Sequence, residues 1–169
     1  MSHFRKRKGI TLIELLVMMA TVIILTLLAI PSFRSLIEYY RITTATDSLY
    51  AAIQYARTES VKRNTTVYMS FTTGDSWCYG MNTGSTCNCA TAGSCNLGST
   101  SAGAAQLLTL SATGLASNSF YFDTTHGGAS SAVTFTYTLY GQSSLITMSV
   151  SRLGNISTCS TGISGYTAC

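Results

Sequence analysis

Apolar positions follow two regimes along this chain. From Ile10 to Ile30 they are nearly continuous, built from Leu, Ile, Val, Met, Ala and Thr and broken only by Glu14. As a helix this stretch spans about 30 Å, the thickness of a bilayer core. Arg5, Lys6, Arg7, Lys8 and Gly9 precede it, and Pro31 closes it. Beyond Pro31 the pattern turns amphipathic. Ala45, Leu49, Ala52, Ile53 and Ala56 recur at steps of three and four, predicting one buried stripe, with Arg41, Thr44, Asp47, Gln54 and Arg57 on the polar side. Glu59 stands three and four residues before Lys62 and Arg63, the favourable order for helical ion pairs. The two cations suit a helix C-terminus, with Asn64 as its cap. The pattern predicts one helix from Ile10 to Arg63, kinked at Pro31.

Past Asn64 the period drops to two. "TTVYMSF" sets Val67, Met69 and Phe71 on one face, and "SWCYGM", "AQLLTLS" and "SFYFDT" read as further strands. His126-Gly127-Gly128 marks a turn. "AVTFTYTLY" alternates Val133, Phe135, Tyr137 and Leu139 against threonines. A turn at Gly141–Ser144 leads into "LITMSVS", so these two strands form a hairpin. Within Gly74–Gly103 the "SWCYGM" strand is followed by a disulfide-tied loop, and the tail Gly154–Cys169 reads as polar and cysteine-clamped. Tyr39 and Tyr40 suit a membrane interface, whereas Tyr50 and Tyr55 are expected to pack on the sheet. The expected class is α+β: a long N-terminal transmembrane helix packed on an antiparallel β-sheet.

Charge and cysteines narrow the function classes. Four of the ten cations precede Gly9; the remaining six face six acids, so the chain from Ile10 onward is neutral. It has no excess cation with which to release counterions from nucleic-acid phosphates. All six cysteines lie beyond residue 77. An even set in Ser/Gly-rich sequence points to disulfides in an oxidising compartment, with about fifteen pairings open. Cys159 with Cys169 closes a short loop at the tail, and Cys87 with Cys89 is disfavoured. Zinc is the rival for Cys78, Cys87, Cys89 and Cys95, but no CxxC pair occurs.

A charge near the bilayer centre costs about 3 kcal/mol and usually has a partner. A signal peptide or a plain anchor leaves Glu14 unexplained. A cut between Gly9 and Ile10 explains it, because the new α-amino group of one subunit complements Glu14 of the next. "KGITLIELL" resembles the type IV prepilin leader, with Ile10 where Phe is commoner. The resemblance implies that Gly9 precedes the cleavage site, that Ile10 is the methylated first residue, that Glu14 serves assembly, and that Pro31 matches the helix-kinking proline. It divides the chain into a leader (1–9), a transmembrane and polymerisation helix (10–31), an amphipathic helix (32–64) and a β-sheet head with a cysteine-rich loop (65–169).

"LYAAIQYARTESVKRNTTVYMSF" is similar to the GspH/FimT branch of minor pilins and pseudopilins, whose helix ends on a comparable Ala-Arg…Lys-Arg run; here that run is Ala56 to Arg63. The resemblance implies a pilin fold and a structural, non-enzymatic subunit, with neither cofactor nor metal, in a type IV pilus or a type II secretion pseudopilus. The implied partners are prepilin peptidase, other pilins and the inner membrane, crossed once with the head periplasmic. DNA is the alternative partner, since some members bind it through a Gly-Arg-x-Arg-x-Cys motif. Here Gly154 fits, but Asn155 and Ser157 replace the arginines, Cys159 falls one position late, and Arg152 reads as a solvated charge. A membrane-anchored periplasmic enzyme ranks last. His126 with Asp123 lacks a nucleophile, Gly162-Ile163-Ser164-Gly165 is no nucleophile elbow, and Asp75 and Asp123 form no calcium loop.

Overall fold

The computed structural model describes residues 9–102, 107–139 and 145–169, without the side chains at 28–32 and 34. The chain divides into two compact units, Met1–Glu38 and Tyr39–Cys169.

Helix α1 (Leu12–Arg63) begins two residues later than Ile10 because Thr11 caps it. The Thr11 hydroxyl accepts the Glu14 N–H at 3.3 Å, and the Thr11 carbonyl accepts the Leu15 N–H at 3.2 Å. Thr11-Leu-Ile-Glu14 has the residue types of a capping box. At the other end Asn64 adopts φ 49°. Its N–H reaches the Val61 carbonyl at 3.3 Å, and the Thr65 N–H reaches the Ser60 carbonyl at 3.2 Å. That pair of bonds is a Schellman closure with Asn at the left-handed position.

In the first unit the described side chains of Leu12, Leu16, Val22, Ile23 and Leu27 are exposed. Among the described residues no helix is long and apolar enough to cross a membrane. The side chains predicted to complete the span, from Leu28 to Pro31, lie outside the described set, and so does the environment of the expected Pro31 kink.

In the second unit α1 buries Ile42, Leu49, Ala52, Ile53 and Ala56 in the same core as the strands. Tyr50 and Tyr55 do not join it. They lie beside the stripe and remain 41% and 43% exposed, which corrects their expected packing on the sheet. The strands form two antiparallel four-stranded sheets rather than one. Sheet A has the order β3-β2-β1-β5: β1 (Val67–Thr72), β2 (Cys78–Thr83), β3 (Gly98–Ser101) and β5 (Ser119–Phe122). Sheet B has the order β4-β6-β7-β8: β4 (Leu108–Thr113), β6 (Val133–Leu139), β7 (Leu145–Val150) and β8 (Ile156–Thr161). The expected hairpin is β6 with β7, registered Phe135↔Met148 and Tyr137↔Ile146; its turn lies outside the described residues. β3 is exposed along its whole length, and β8 sits at the edge of sheet B with much of its hydroxyl-rich surface exposed.

Aromatic rings join the two sheets. Phe71 of β1 meets Phe135 of β6 at 4.7 Å between centroids, and Trp77 meets Tyr137 edge-on at 5.3 Å. The Trp77 indole N–H donates to the Leu108 carbonyl of β4 at 3.0 Å, and Gly74 pairs with Leu110 across the same seam. The Tyr137 hydroxyl is buried and has no hydrogen-bond partner among the described residues. Burial holds its phenol far above the usual range. An unpaired buried hydroxyl costs stability, whereas the same ring without it does not. Tyr137→Phe is therefore expected to raise the unfolding free energy by about 1 kcal/mol in denaturant titration.

Candidate functional site

Two regions carry polar chemistry. The first is the start of α1. Gly9 and Ile10 are exposed and non-helical, and a side chain placed on Gly9 would meet nothing within 4 Å. Glu14 sits in the first helical turn, exposed, among the exposed apolar side chains of Leu12, Ile13, Leu15 and Leu16. A carboxylate near a helix N-terminus interacts favourably with the macrodipole, by about 0.3–1 kcal/mol.

The second region is the end of the head where α1 meets both sheets. Arg57, expected on the solvent side of the helix, instead turns into two loops. Its Nε donates to the Gly127 carbonyl at 3.0 Å, Nη1 to the Gly154 carbonyl at 3.0 Å and Nη2 to the Leu153 carbonyl at 3.2 Å. Gly127 follows β5 of sheet A, and Leu153–Gly154 join β7 to β8 of sheet B. Both glycines adopt positive φ, 62° and 78°. A Cβ on Gly154 would stand 2.6 Å from the Gly127 carbonyl oxygen and 2.8 Å from Arg57 Nε, so the guanidinium fits only against bare backbone.

Neighbouring groups complete the joint. The Ser60 hydroxyl donates to the carbonyls of Arg57 and Asp123, at 2.7 and 3.1 Å. Asp123 is no acid–base partner for His126. Its Oδ1 accepts the backbone N–H groups of Thr125 and His126, at 3.1 and 2.9 Å, and these bonds hold its carboxyl below the ordinary range. The His126 side chain is exposed. Glu59 is buried between Lys62 at 3.3 Å and Arg63, whose Nε–H bonds it directly. The Arg63 hydrogen bond is the main cause that holds its carboxyl below the ordinary range.

Residues 45–154 match the family model described as type II transport protein GspH, more than half of the chain. The chain belongs to the GspH family. No curated protein and no solved structure matches it. Membership supports a structural role as a pseudopilin or minor pilin, in a family that is not one of enzymes. The matched span contains Arg57, Glu59, Asp123 and Gly154 of the joint; Gly9, Ile10 and Glu14 lie before it.

In this GspH-family chain the six cysteines are all oxidised. Cys159 pairs with Cys169, Cys78 with Cys89 and Cys87 with Cys95, so none is left as a thiolate for zinc. The last two bridges overlap in sequence and lie on sheet A at Gly80, where a Cβ would collide with Cys95 Sγ. Arg152, Asn155 and Ser157 are exposed; the Arg152 carbonyl accepts the Ala129 N–H at 2.9 Å. The carbonyl-binding role of Arg57 escaped sequence reasoning. The available signal was a lone arginine one position from the apolar residue Ala56, with glycines far downstream.

Arg57→Lys reaches at most part of this carbonyl set, because a point charge replaces a planar fork. Unfolding by denaturant is expected to show a loss of about 2–3 kcal/mol. The Glu59 pair is pH-dependent. Since the folded carboxyl lies below its unfolded value of about 4.3, its stabilisation is full above that pH and is lost as pH falls through the folded value. Glu59→Gln should therefore lower the melting temperature at pH 7, with the gap to wild type closing below about pH 4.

Proposed function

We propose that this chain is a pseudopilin of a type II secretion system, cut between Gly9 and Ile10 and assembled through the membrane-borne first half of α1. Membership of the family of type II transport protein GspH favours the secretion pseudopilus over a type IV pilus. The observation that carries the reading is Glu14: a carboxylate in the first turn of a helix whose other described side chains are exposed as far as Leu27 and apolar but for Thr21 and Thr26, whose hydroxyls bond back to the helix.

Magnitudes separate the readings of that carboxylate. The macrodipole returns about 0.3–1 kcal/mol at a helix N-terminus. A carboxylate at the bilayer centre costs about 2.5–3.5 kcal/mol, the upper bound for Glu14 in the first turn of the span. Capping alone does not offset a cost of that size. An α-amino group released at Ile10 by cleavage supplies an opposite charge, and a neighbouring subunit can bring it to Glu14. The pair then fixes the axial register between subunits, a use for which buried polar groups are best attested. Gly9 and Ile10, exposed and outside the helix, are accessible to a peptidase.

Mass spectrometry of the mature chain is expected to give a sequence starting at methylated Ile10 with three disulfides. An intact leader, or a cut beyond Pro31, would remove the reading. Glu14→Ala is expected to leave the chain in the membrane and to abolish its incorporation into filaments, followed by shearing and immunoblotting. Normal incorporation of that variant would leave α1 as a plain anchor.

A further inference from the structure

Charge is unevenly distributed over the second unit. Of its five cations, Arg41 stands apart, while Arg57, Lys62, Arg63 and Arg152 belong to the end formed by the last turns of α1 and the loops at 123–128 and 151–155. Two acids share this end, and both are engaged. Glu59 lies between Lys62 and Arg63, and Asp123 is held by backbone N–H groups. Four cations against two carboxylates leave an excess of two positive charges. The Lys62 side chain is 72% exposed despite its pairing, and Arg152 and His126 are exposed.

The same end presents apolar surface. Leu153, its carbonyl fixed by Arg57, is 75% exposed, and Val61 is 49% exposed. A Cβ on Gly127 would stand 3.2 Å from Val61 Cγ2 and 3.1 Å from Arg57 Cγ, so the helix and the loop form one continuous surface. Cations in a last helical turn gain from the helix dipole, which accounts for Lys62 and Arg63. It does not account for the side chains of Arg152 and Leu153, which come from the β7–β8 turn and lie outside α1.

We infer that this end of the head is a docking surface for an acidic protein segment, one that sets carboxylates against Lys62 and Arg152 and an apolar side chain against Leu153 and Val61. Positive charge selects an anionic partner and steers its approach. Two excess charges release few counterions from a nucleic acid, and a phosphate backbone offers nothing to an exposed leucine. A peptide that pairs carboxylates with an apolar anchor satisfies both kinds of group. The inference rests on the head alone and holds whether or not the chain is cut after Gly9.

The test uses the full chain in detergent micelles and fluorescence anisotropy with three probes: a labelled peptide of alternating Glu and Leu, its Gln-for-Glu counterpart, and a single-stranded oligonucleotide of similar length. The Glu/Leu peptide is expected to bind, about tenfold more weakly at high salt and in a Lys62→Gln/Arg152→Gln variant. Leu153→Ser is expected to weaken it severalfold at unchanged salt dependence. The Arg152 and Leu153 side chains are exposed and unpaired with the core, so Arg152→Gln and Leu153→Ser should melt like wild type. Lys62 pairs with buried Glu59, so the double variant is measured well below its own, lower melting temperature. Absence of binding, equal binding of the Gln counterpart, or affinity unchanged in the variants would overturn the inference. Tighter binding of the oligonucleotide would also overturn it, making this end a nucleic-acid surface.

Discussion

A single guanidinium sets the geometry of the head. Arg57 leaves α1 and meets three carbonyls on two loops, one loop from each sheet. A sheet-to-sheet core of Phe71, Phe135, Trp77 and Tyr137 supplies cohesion, but apolar contacts are non-directional and tolerate sliding. The hydrogen bonds of Arg57 are directional, and their lengths near 3.0 Å fix the helix end relative to both loops. Gly127 and Gly154 belong to the same constraint, since each supplies a carbonyl and leaves out a side chain that would crowd the arginine.

At the other end of α1 the governing constraint is a mismatch. Leu12, Ile13, Leu15 and Leu16 are exposed in the isolated chain, and Glu14 is set among them. Apolar surface of this extent calls for cover. The cover must also accommodate a carboxylate, and lipid alone does so poorly. The family match begins at residue 45 and does not reach this segment.

Strands with strict alternation and a buried face were legible from sequence: Val67, Met69 and Phe71, and the run from Val133 to Leu139, are buried where the period-two pattern places them. The helix stripe from Leu49 to Ala56 was legible for the same reason. Strands β3 and β8 were not, because GSTS and ISTCST bring few apolar side chains and are held by their neighbours in the sheet rather than by hydrophobic periodicity. The division into two sheets was also hidden, since pairing between distant strands leaves no local trace. Arg57 escaped because its partners are backbone carbonyls some 70 and 97 positions away, which no residue type announces. Tyr50 and Tyr55 were misjudged because an aromatic body suggests burial while helical phase places both outside the stripe.

The crossed bridges above Gly80 tie maturation of the head to where the chain is. Residues 84–97 bury little besides Cys89 and Cys95; Cys78–Cys89 ties them to β2, Cys87–Cys95 closes the segment on itself, and a few polar contacts add to these, among them the Asn96 N–H to the Asn82 side-chain oxygen of β2 at 3.0 Å. In a reducing cytosol this segment has little to hold it against the strand. Oxidation closes it, so completion of this face of sheet A records that the chain has met an oxidising compartment.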